Sequence, residues 1–170
     1  MEYRLHRVRA KDWQHGRAIR LQMLRDTPAA YLETFEEALA HPESEWQFRA
    51  TRSARPGNIG IAAVDGTGIW VGTMSGFLPE PGIAKLVSVW LHPDHRGSGA
   101  GVAALMLDAV IRWARDEEKA KQLVLLVHED NRRAIAFYER AGFSYTGRTE
   151  PYPLDETKQE LEMELPLEQH

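Results

Sequence analysis

The spacing of apolar positions changes twice along the chain and predicts a mixed α/β fold. Apolar side chains recur at helical spacing after Asp12, a candidate helix cap, and again in one or two helical pieces within residues 31–53. Stretches rich in β-branched and small apolar residues then predict strands at 58–64, 69–78 and 83–91. In the early helices, the side chains expected to be buried are Leu32, Phe35, Leu39, Trp46 and Phe48.

The second half of the chain alternates between helix-like and strand-like patterns. A long helix is predicted at 101–118, a buried strand at 123–127, and a short helix at 131–141 that Gly142 ends. Three further strands complete the prediction, one near residues 3–8, one at 143–148 and, after a polar loop, one at 161–165. The chain has no internal repeat and no long linker, so residues 1–170 are expected to form a single domain.

Composition narrows the class of protein. The 170 residues are 43% hydrophobic, which is ordinary for a soluble globular domain. The chain has no cysteine, which excludes a disulfide framework, thiolate metal ligands and a cysteine nucleophile, and favours a reducing cytoplasm weakly. The net charge is −4, with acidic and basic residues interleaved, and no apolar run is long enough to span a membrane. We therefore expect a cytoplasmic protein that binds neither nucleic acid nor membrane.

A glycine-rich loop lies between the third of the central strands and the long helix. Gly97, Gly99 and Gly101 stand at alternate positions shortly after His92-Pro93. Glycine lets the backbone approach a ligand closely, and the unpaired amides at the start of a helix favour an anion. A phosphate or pyrophosphate is therefore the predicted ligand, although glycines that only turn a tight corner produce the same pattern.

Other phosphate-binding loops fit this segment less well. A P-loop needs Gly-Lys-Ser or Gly-Lys-Thr at its end, and neither is present. Gly99, Gly101 and Ala104 do match the dinucleotide fingerprint G-x-G-x-x-A, with Glu129 or Asp130 after the next strand. Only about seventy residues follow the loop, which is too few for a doubly wound dinucleotide sheet. A dinucleotide-binding module thus stays open as a weaker alternative.

A second group of residues lies in the short helix about thirty positions downstream. Asn131 and Tyr138 are seven residues apart, so they share nearly the same helical face. Asn131 is also a good helix N-cap, and Tyr138 also fits as a core aromatic. Each of the two residues thus has a purely structural explanation when it is taken alone.

The two groups together carry a family resemblance over roughly residues 85–148. Arg96-x-x-Gly99-x-Gly101, preceded by a strand, resembles the acetyl-coenzyme A motif of the GNAT N-acetyltransferase superfamily. The helix Asn131-x-x-Ala134-x-x-Phe137-Tyr138, followed by Gly142-Phe143, resembles the second signature of that superfamily. The resemblance implies a mixed α/β domain with about four helices flanking a mostly antiparallel sheet, which is splayed between its fourth and fifth strands.

The resemblance also implies a cofactor site and a reaction. Acetyl-coenzyme A would lie in the splayed sheet as the acetyl donor, without a metal, and its acetyl group would pass directly to an amine. Tyr138 would face the sulfur of the donor as the catalytic residue, and the backbone of the glycine loop would cradle the pyrophosphate. The residues implied in cofactor binding are Val89, Trp90, Leu91, Arg96, Gly97, Ser98, Gly99, Ala100, Gly101, Val102, Asn131 and Tyr138.

The general base is not assigned by the resemblance. Lys85 and Leu126 occupy strand positions where some members of the superfamily carry a glutamate. A chain of water molecules is one alternative to a protein base. The side chains that remain as candidates are His92, His128, Glu129, Glu33 and Glu150.

The acceptor site is expected to be formed by residues 28–40 and 149–158. Both segments are acidic, which favours a cationic amine, although a solvated acidic surface has the same composition. A non-catalytic sensor of acyl-coenzyme A is the main alternative function. The sequence is compatible with a homodimer but contains no feature that demands one.

Overall fold

The computed structural model of the protein describes residues 2–28, 31–97 and 101–168. Within these ranges seven strands form one sheet in the order β1-β2-β3-β4-β5-β7-β6. All neighbouring strands in this sheet are antiparallel except β4 and β5, which are parallel. The strands are β1 (Arg4–Arg7), β2 (Asn58–Val64), β3 (Trp70–Glu80), β4 (Ile83–Leu91), β5 (Gln122–His128), β6 (Ser144–Tyr152) and β7 (Asp155–Pro166).

Five α-helices flank the sheet in the described part of the chain. One more than expected is present because residues 31–53 form two helices, which Pro42 separates as the N-cap of the second. The first and third helices contact β3 and β2, respectively, and the fourth contacts both strands from the opposite side. The helices are α1 (Trp13–Asp26), α2 (Phe35–Leu39), α3 (Glu43–Ser53), α4 (Val102–Arg112) and α5 (Arg132–Arg140).

The alternation of side chains along each strand divides the core between two faces of the sheet. In β2, Ile61 and Ala63 pack in the large core formed with α4 and α5. The neighbouring Ala62 and Val64 pack on the other side, in a smaller core formed with α1. We call these the α4 face and the α1 face of the sheet. Trp90 of β4 lies on the α1 face.

The β4 and β5 strands separate soon after they begin. Their pairing covers only residues 83–85 of β4 and 122–124 of β5, whereas β4 continues to Leu91 and β5 to His128. Ser88 has a φ of 55°, and the β3–β4 register shifts beside it, which marks a β-bulge that bends β4. The predicted splay between the fourth and fifth strands is therefore confirmed. Residues 86–91 and 125–128 line the opening, which we call the gap.

The polar loop predicted at 149–158 is wrong. These residues form the tip of a long hairpin, because β6 extends to Tyr152, β7 begins at Asp155, and only residues 153 and 154 form the turn. β6 is an edge strand, and most of its side chains are exposed. An edge strand that buries few side chains lacks the apolar alternation by which strands are recognised in a sequence.

Other local predictions also differ from the structure. Leu32, Leu39 and Phe48 are exposed rather than buried, at 72%, 51% and 48%. For Leu39 the reason is that α2 is one short turn that buries only Ala38, whereas α3 buries Trp46 and Ala50 instead of Phe48. The long helix keeps α-helical geometry only to Arg112 and continues as a wider π-helical turn. The helix cap predicted at position 12 takes its hydrogen bonds from Arg9 and His6 rather than from the first turn of α1.

Candidate active site

The backbone of β4 faces the gap at two positions. The amide of His92 donates to a carbonyl of β3 at 2.7 Å. Because successive residues of a strand direct their backbone groups to opposite sides, those of Leu91 and Val89 point away from β3 and toward the gap. The Tyr31 hydroxyl donates to the Val89 carbonyl at 3.1 Å, and Arg96 Nε donates to the Leu91 carbonyl at 2.6 Å.

Trp90, between these two residues, points the other way. Its ring is 4% exposed on the α1 face, and its Nε1 donates to Asp26 at 2.9 Å. The position of the ring therefore gives no support to a contact with a cofactor in the gap. Arg96 also binds Asp26, so this carboxylate joins the end of α1 to β4 and to the loop that follows. Burial raises the pKa of Asp26, but hydrogen bonds from Trp90, Arg96 and Thr27 outweigh burial and keep the pKa low.

The structure describes the two ends of the glycine loop that is predicted to bind an anion, but not its centre. Three of its residues lie outside the described ranges, namely Ser98, Gly99 and Ala100. Gly97 and Gly101 have positive φ values of 67° and 63°, which glycine adopts without strain. Gly101 is the N-cap of α4, and it has no side chain that could accept hydrogen bonds from the first amides of the helix. The backbone amide of Val102 therefore has no partner within the helix. The Arg96 amide, in contrast, donates to the Pro93 carbonyl at 3.2 Å.

Arg133 adds a positive charge beside this loop. It is the second residue of α5, and a methyl group added to Gly97 would lie 3.3 Å from its Nη2 atom. A guanidinium group suits a phosphate because it presents several fixed N–H donors. The sequence places Arg133 inside the second motif, but only the fold brings the start of α5 against the glycine loop.

Asn131 and Tyr138 both lie on α5, with different environments. Asn131 caps the helix, since its Oδ1 accepts from the Ala134 amide at 3.2 Å. Tyr138 is 6% exposed, and its ring packs against that of Phe143 in the core of the α4 face. Burial and the charge of Tyr31 raise the pKa of Tyr138 above its usual value. Its phenol therefore remains a neutral hydrogen-bond donor at neutral pH.

Tyr31 reaches the same point from the other side of the sheet. Its hydroxyl lies on the Val89 carbonyl, and the guanidinium of Arg20 lies 4.9 Å from the centre of its ring. Burial raises the pKa of Tyr31 to about 12, so it also stays protonated. The effect of Tyr31 on the pKa of Tyr138 indicates that these two neutral phenols lie near each other. No local pattern in the sequence marks Tyr31 as a functional residue.

Glu33, a candidate base, is held in an ion-pair network. Its carboxylate binds Arg49 Nη2 at 2.7 Å, His41 Nε2 at 2.7 Å and Arg20 Nε at 3.2 Å. The hydrogen bond from Arg49 is the largest influence, and with His41 and Arg20 it outweighs burial and lowers the pKa of Glu33 to about 2. A carboxylate with that pKa is a poor base at neutral pH. Its charge is also already neutralised, so it is not free to bind a cationic acceptor.

Two histidine candidates are restricted by their own backbone contacts. His92 Nδ1 accepts from the Asp94 amide at 3.1 Å, and His128 Nδ1 accepts from the Asp130 amide at 3.0 Å. A neutral imidazole that accepts at Nδ1 carries its proton on Nε2. Neither ring therefore has a free basic nitrogen in this arrangement.

The remaining carboxylate candidates lie toward β7. Glu129 accepts from the Gln159 amide at 3.2 Å and so ties the end of β5 to β7. Glu150 is exposed on β6, directly opposite Glu160 of β7. Lys85 of β4 is paired with Val124 of β5. Its positive charge acts to lower the pKa of Glu160. Glu160 is not among the predicted candidates, because it lies between the predicted polar loop and the predicted last strand, where the sequence shows no catalytic motif.

An open cavity of about 620 Å³ lies on the α1 face, between α1, α3 and the sheet. Thr73, Ser75 and Ser88 are among the residues on its sheet side, and Arg20 and Glu33 are among those on its other walls. Ser88 is the bulge residue directly before Val89. A small molecule that enters this cavity can therefore reach the strand that lines the gap.

The described residues contain no metal site, no membrane-spanning helix and no dinucleotide-binding sheet. In the ranges that the structure describes, no three His, Asp or Glu side chains converge as possible metal ligands. No helix there is long and apolar enough to cross a membrane. The described sheet has only one parallel strand pair, so it is not the doubly wound sheet of a dinucleotide-binding module.

Known proteins share both the sequence motifs and the fold. The family model described as "Acetyltransferase (GNAT) family" matches residues 20–143. The spermine/spermidine N(1)-acetyltransferase of Bacillus subtilis is 37% identical over 62 residues, which cover 35% of this chain and 41% of that protein. The peptidyl-lysine N-acetyltransferase YjaB of Escherichia coli is 33% identical over 73 residues, which cover 39% and 44%. The chain thus matches less than half the length of these two relatives.

A solved structure extends the likeness to nearly the whole chain. The phosphinothricin acetyltransferase of Sinorhizobium meliloti, a GNAT superfamily protein in complex with acetyl-coenzyme A, superimposes with a TM-score of 0.78. The superposition covers 98% of this chain and 89% of that one, at 19% sequence identity. At this identity the likeness concerns the fold alone.

Proposed function

This chain belongs to the acetyltransferase (GNAT) family, and from that premise we propose that it transfers the acetyl group of acetyl-coenzyme A directly to an amine. The proposal rests chiefly on the gap between β4 and β5. Backbone groups of Val89 and Leu91 line one side of it, and a buried, protonated Tyr138 approaches from α5. The resemblance to the family is confirmed, and the roles of the individual residues are part of the proposal.

The described residues suit acetyl-coenzyme A as the donor in three respects. The backbone of Val89 and Leu91 can pair with the amide groups of the pantetheine arm as an added strand would. The free amides at the start of α4 and the guanidinium of Arg133 suit the pyrophosphate. The hydroxyl of Tyr138 suits the sulfur. The two groups suited to a phosphate and the free edge of β4 would together orient a single ligand along the gap.

The transfer needs a neutral amine and a stabilised leaving group. An alkyl ammonium with a pKa near 10.4 costs about 4.6 kcal/mol to deprotonate at pH 7, so a base or a desolvated site is needed. A backbone amide near Val89 would polarise the thioester carbonyl as in an oxyanion hole. The Tyr138 hydroxyl would donate to the departing sulfur. Complete proton transfer from an ordinary phenol to a thiolate is uphill by about 2 kcal/mol, and the raised pKa of Tyr138 adds to this.

The structure of Tyr138 therefore favours a hydrogen bond that shortens as charge develops on sulfur, with the proton passing late. Such a donor accelerates the chemical step without tightening the binding of the ground state. The acceptor would approach from the α1 face, where the cavity reaches Ser88. Tyr31, on the same side, would confine the amine near the carbonyl carbon.

The acceptor that we propose is an aliphatic amine. The two relatives are named for polyamines and for peptidyl-lysine, and both kinds of acceptor present a primary amine on an alkyl chain. A homodimer and a cytoplasmic location stay predictions from the sequence.

The experiment that tests the proposed function is an acceptor screen with acetyl-coenzyme A. Spermidine, a lysine-containing peptide and ethanolamine are each incubated with the protein, and free thiol and acetylated amine are measured together. We expect stoichiometric release of thiol and formation of the amide with at least one amine. Binding of acetyl-coenzyme A by calorimetry with no thiol released by any amine would instead favour the non-catalytic sensor.

A further inference from the structure

Glu160 lies on the acceptor side of the sheet. Paired residues of neighbouring strands direct their side chains to the same face, and successive residues alternate. Leu125 and Met163 are paired across β5 and β7 and are buried in the core of the α4 face. His128 and Glu160 are also paired, three positions further along each strand, so both point to the α1 face.

The same pair stands at the open end of the gap. The last β4–β5 pair is Lys85 with Val124, and four residues further along each strand come Val89 and His128. Val89 is the residue whose carbonyl accepts from Tyr31. Glu160 is the neighbour of His128 on the far side from β4, so its carboxylate lies one strand away from the gap, at the open end.

Glu160 is half-buried, and its charged neighbours come from three strands. Glu150 faces it from β6, His128 from β5, and Lys85 from β4. Burial is the largest influence on the pKa of Glu160, and with the charge of Glu150 it outweighs Lys85 and His128 and raises that pKa. No described residue forms an ion pair or a hydrogen bond with the Glu160 side chain. It is therefore a free carboxylate, unlike Glu33.

A tyrosine hydroxyl without a hydrogen-bond partner among the described residues lies on the same face of the sheet, close enough for Glu160 to affect its pKa. Tyr152 is only 7% exposed, and its ring packs edge-on against His128 with the ring centres 4.7 Å apart. Burial and the charge of Glu160 raise the pKa of Tyr152. Its hydroxyl has no hydrogen bond to any described residue. A hydroxyl without a partner can accept a hydrogen bond, so the space between this hydroxyl and Glu160 is suited to a ligand with N–H groups.

We propose that the Glu160 carboxylate takes the proton from the ammonium group of the acceptor, with the Tyr152 hydroxyl as a second contact of the same nitrogen. The inference rests on the proposed function. The ammonium and the carboxylate become a neutral amine and a carboxylic acid, and the amine nitrogen then forms the C–N bond as the C–S bond breaks. The second amine proton goes to the sulfur by way of Tyr138, and Glu160 returns its proton to water.

The sequence gives no indication of this role, because positions 149–158 and those just after them resemble a solvated acidic loop. The register of the β5–β7 pair places Glu160 beside His128, one strand from the open end of the gap. The base candidates that the sequence does single out are tied up in other contacts, as described above for Glu33, His92, His128 and Glu129.

The test compares Glu160→Gln with the wild type in two reactions. With spermidine or the lysine peptide as acceptor, whichever the wild type acetylates faster, kcat/KM is measured as a function of pH. With hydroxylamine, whose nitrogen is already unprotonated at neutral pH, the same rate is measured after subtraction of the uncatalysed reaction. Glu164→Gln is the matched control, since Glu164 lies on the same strand and face but beside Val124, at the closed end of the gap.

We expect Glu160→Gln to lower kcat/KM for the alkyl amine about a hundredfold at neutral pH, within the usual range for loss of a general base. The deficit should shrink as the pH rises toward the pKa of the amine, and the rate with hydroxylamine should change less than about threefold. An unchanged rate with the alkyl amine, or an equal loss with hydroxylamine or in Glu164→Gln, would overturn the assignment. A wild type that binds acetyl-coenzyme A and acetylates none of these nucleophiles would instead refute the proposed function itself.

Discussion

The hydroxyl of Tyr31 donates a hydrogen bond to the carbonyl oxygen of Val89 at 3.1 Å and so joins the segment after α1 to the strand that lines the gap. The ring of Tyr31 is covered by the guanidinium of Arg20, which Glu33 binds in turn. Glu33 is held by Arg49 of α3. A continuous series of contacts therefore runs from α3 to the carbonyl of Val89, and it positions the backbone that we propose to bind the acetyl donor.

Removal of the Tyr31 hydroxyl should weaken transfer without unfolding the protein. Tyr31→Phe keeps the ring against Arg20 but loses the hydrogen bond to Val89, which we expect to lower kcat/KM by about three- to tenfold, the equivalent of about 0.7–1.4 kcal/mol. Steady-state kinetics with the amine varied measures this change. Tyr145→Phe, at a half-exposed tyrosine of β6, is the control and should leave kcat/KM unchanged. Equal kinetics in the two variants would show that Tyr31 has no part in the site.

The Glu33 network should make stability depend on pH below neutrality. The folded pKa of Glu33 is lowered to about 2, so its contribution is fully present above the unfolded pKa and is lost as the pH falls through the folded value. At neutral pH this contribution is at most about 3 kcal/mol. Glu33→Gln should therefore lower the free energy of unfolding at pH 7, and the difference from the wild type should narrow below about pH 4.

Urea denaturation at pH 7 and at a pH below about 4 measures the free energy of unfolding of Glu33→Gln and of the wild type. Glu36→Gln serves as the control, because Glu36 lies on the exposed side of the short helix α2. We expect this control to match the wild type at each pH. A constant difference between Glu33→Gln and the wild type from neutral to acidic pH would contradict the assignment of a lowered pKa.

Arg133 should contribute to the binding of acetyl-coenzyme A and little to the chemical step. Arg133→Gln removes a guanidinium beside Gly97, and we expect the Kd for acetyl-coenzyme A to rise about tenfold, with kcat at saturation within about twofold of the wild type. Calorimetry at two salt concentrations gives the Kd, and the effect should diminish at high salt because charge pairing is screened. Arg132→Gln, at the adjacent residue, is the control. The same loss in both variants would mean that only the general charge of α5 matters.

The sequence predicts the central strands better than the edge of the sheet. β2 and β4 occupy the predicted residues 58–64 and 83–91, because buried strands carry long apolar runs bounded by turn residues. The second half of β6 and the first half of β7 were expected to be loop, because an exposed edge hairpin has no apolar alternation. Positions that depend on packing between separate helices, such as the exposed Leu32 and Phe48, also differ from expectation.

The candidate site follows the same division. The glycine loop and the Asn131–Tyr138 spacing are local patterns, so they are visible in the sequence. Only the fold brings Tyr31 to β4 and Glu160 beside the end of β5, the first from the segment after α1 and the second through the pairing of β7 with β5. Glu33 shows the converse, since its acidic side chain in the predicted acceptor segment is consumed by two arginines and a histidine.

Tyr138→Phe provides the most direct test of acetyl transfer at the gap. The substitution keeps the ring packed against Phe143 and removes only the hydroxyl proposed to donate to the leaving sulfur. We predict that kcat falls by more than about tenfold, as for the loss of one transition-state donor, while the Kd for acetyl-coenzyme A, measured by calorimetry, stays within about twofold. An unaltered kcat, or a loss confined to acetyl-coenzyme A binding, would contradict the account.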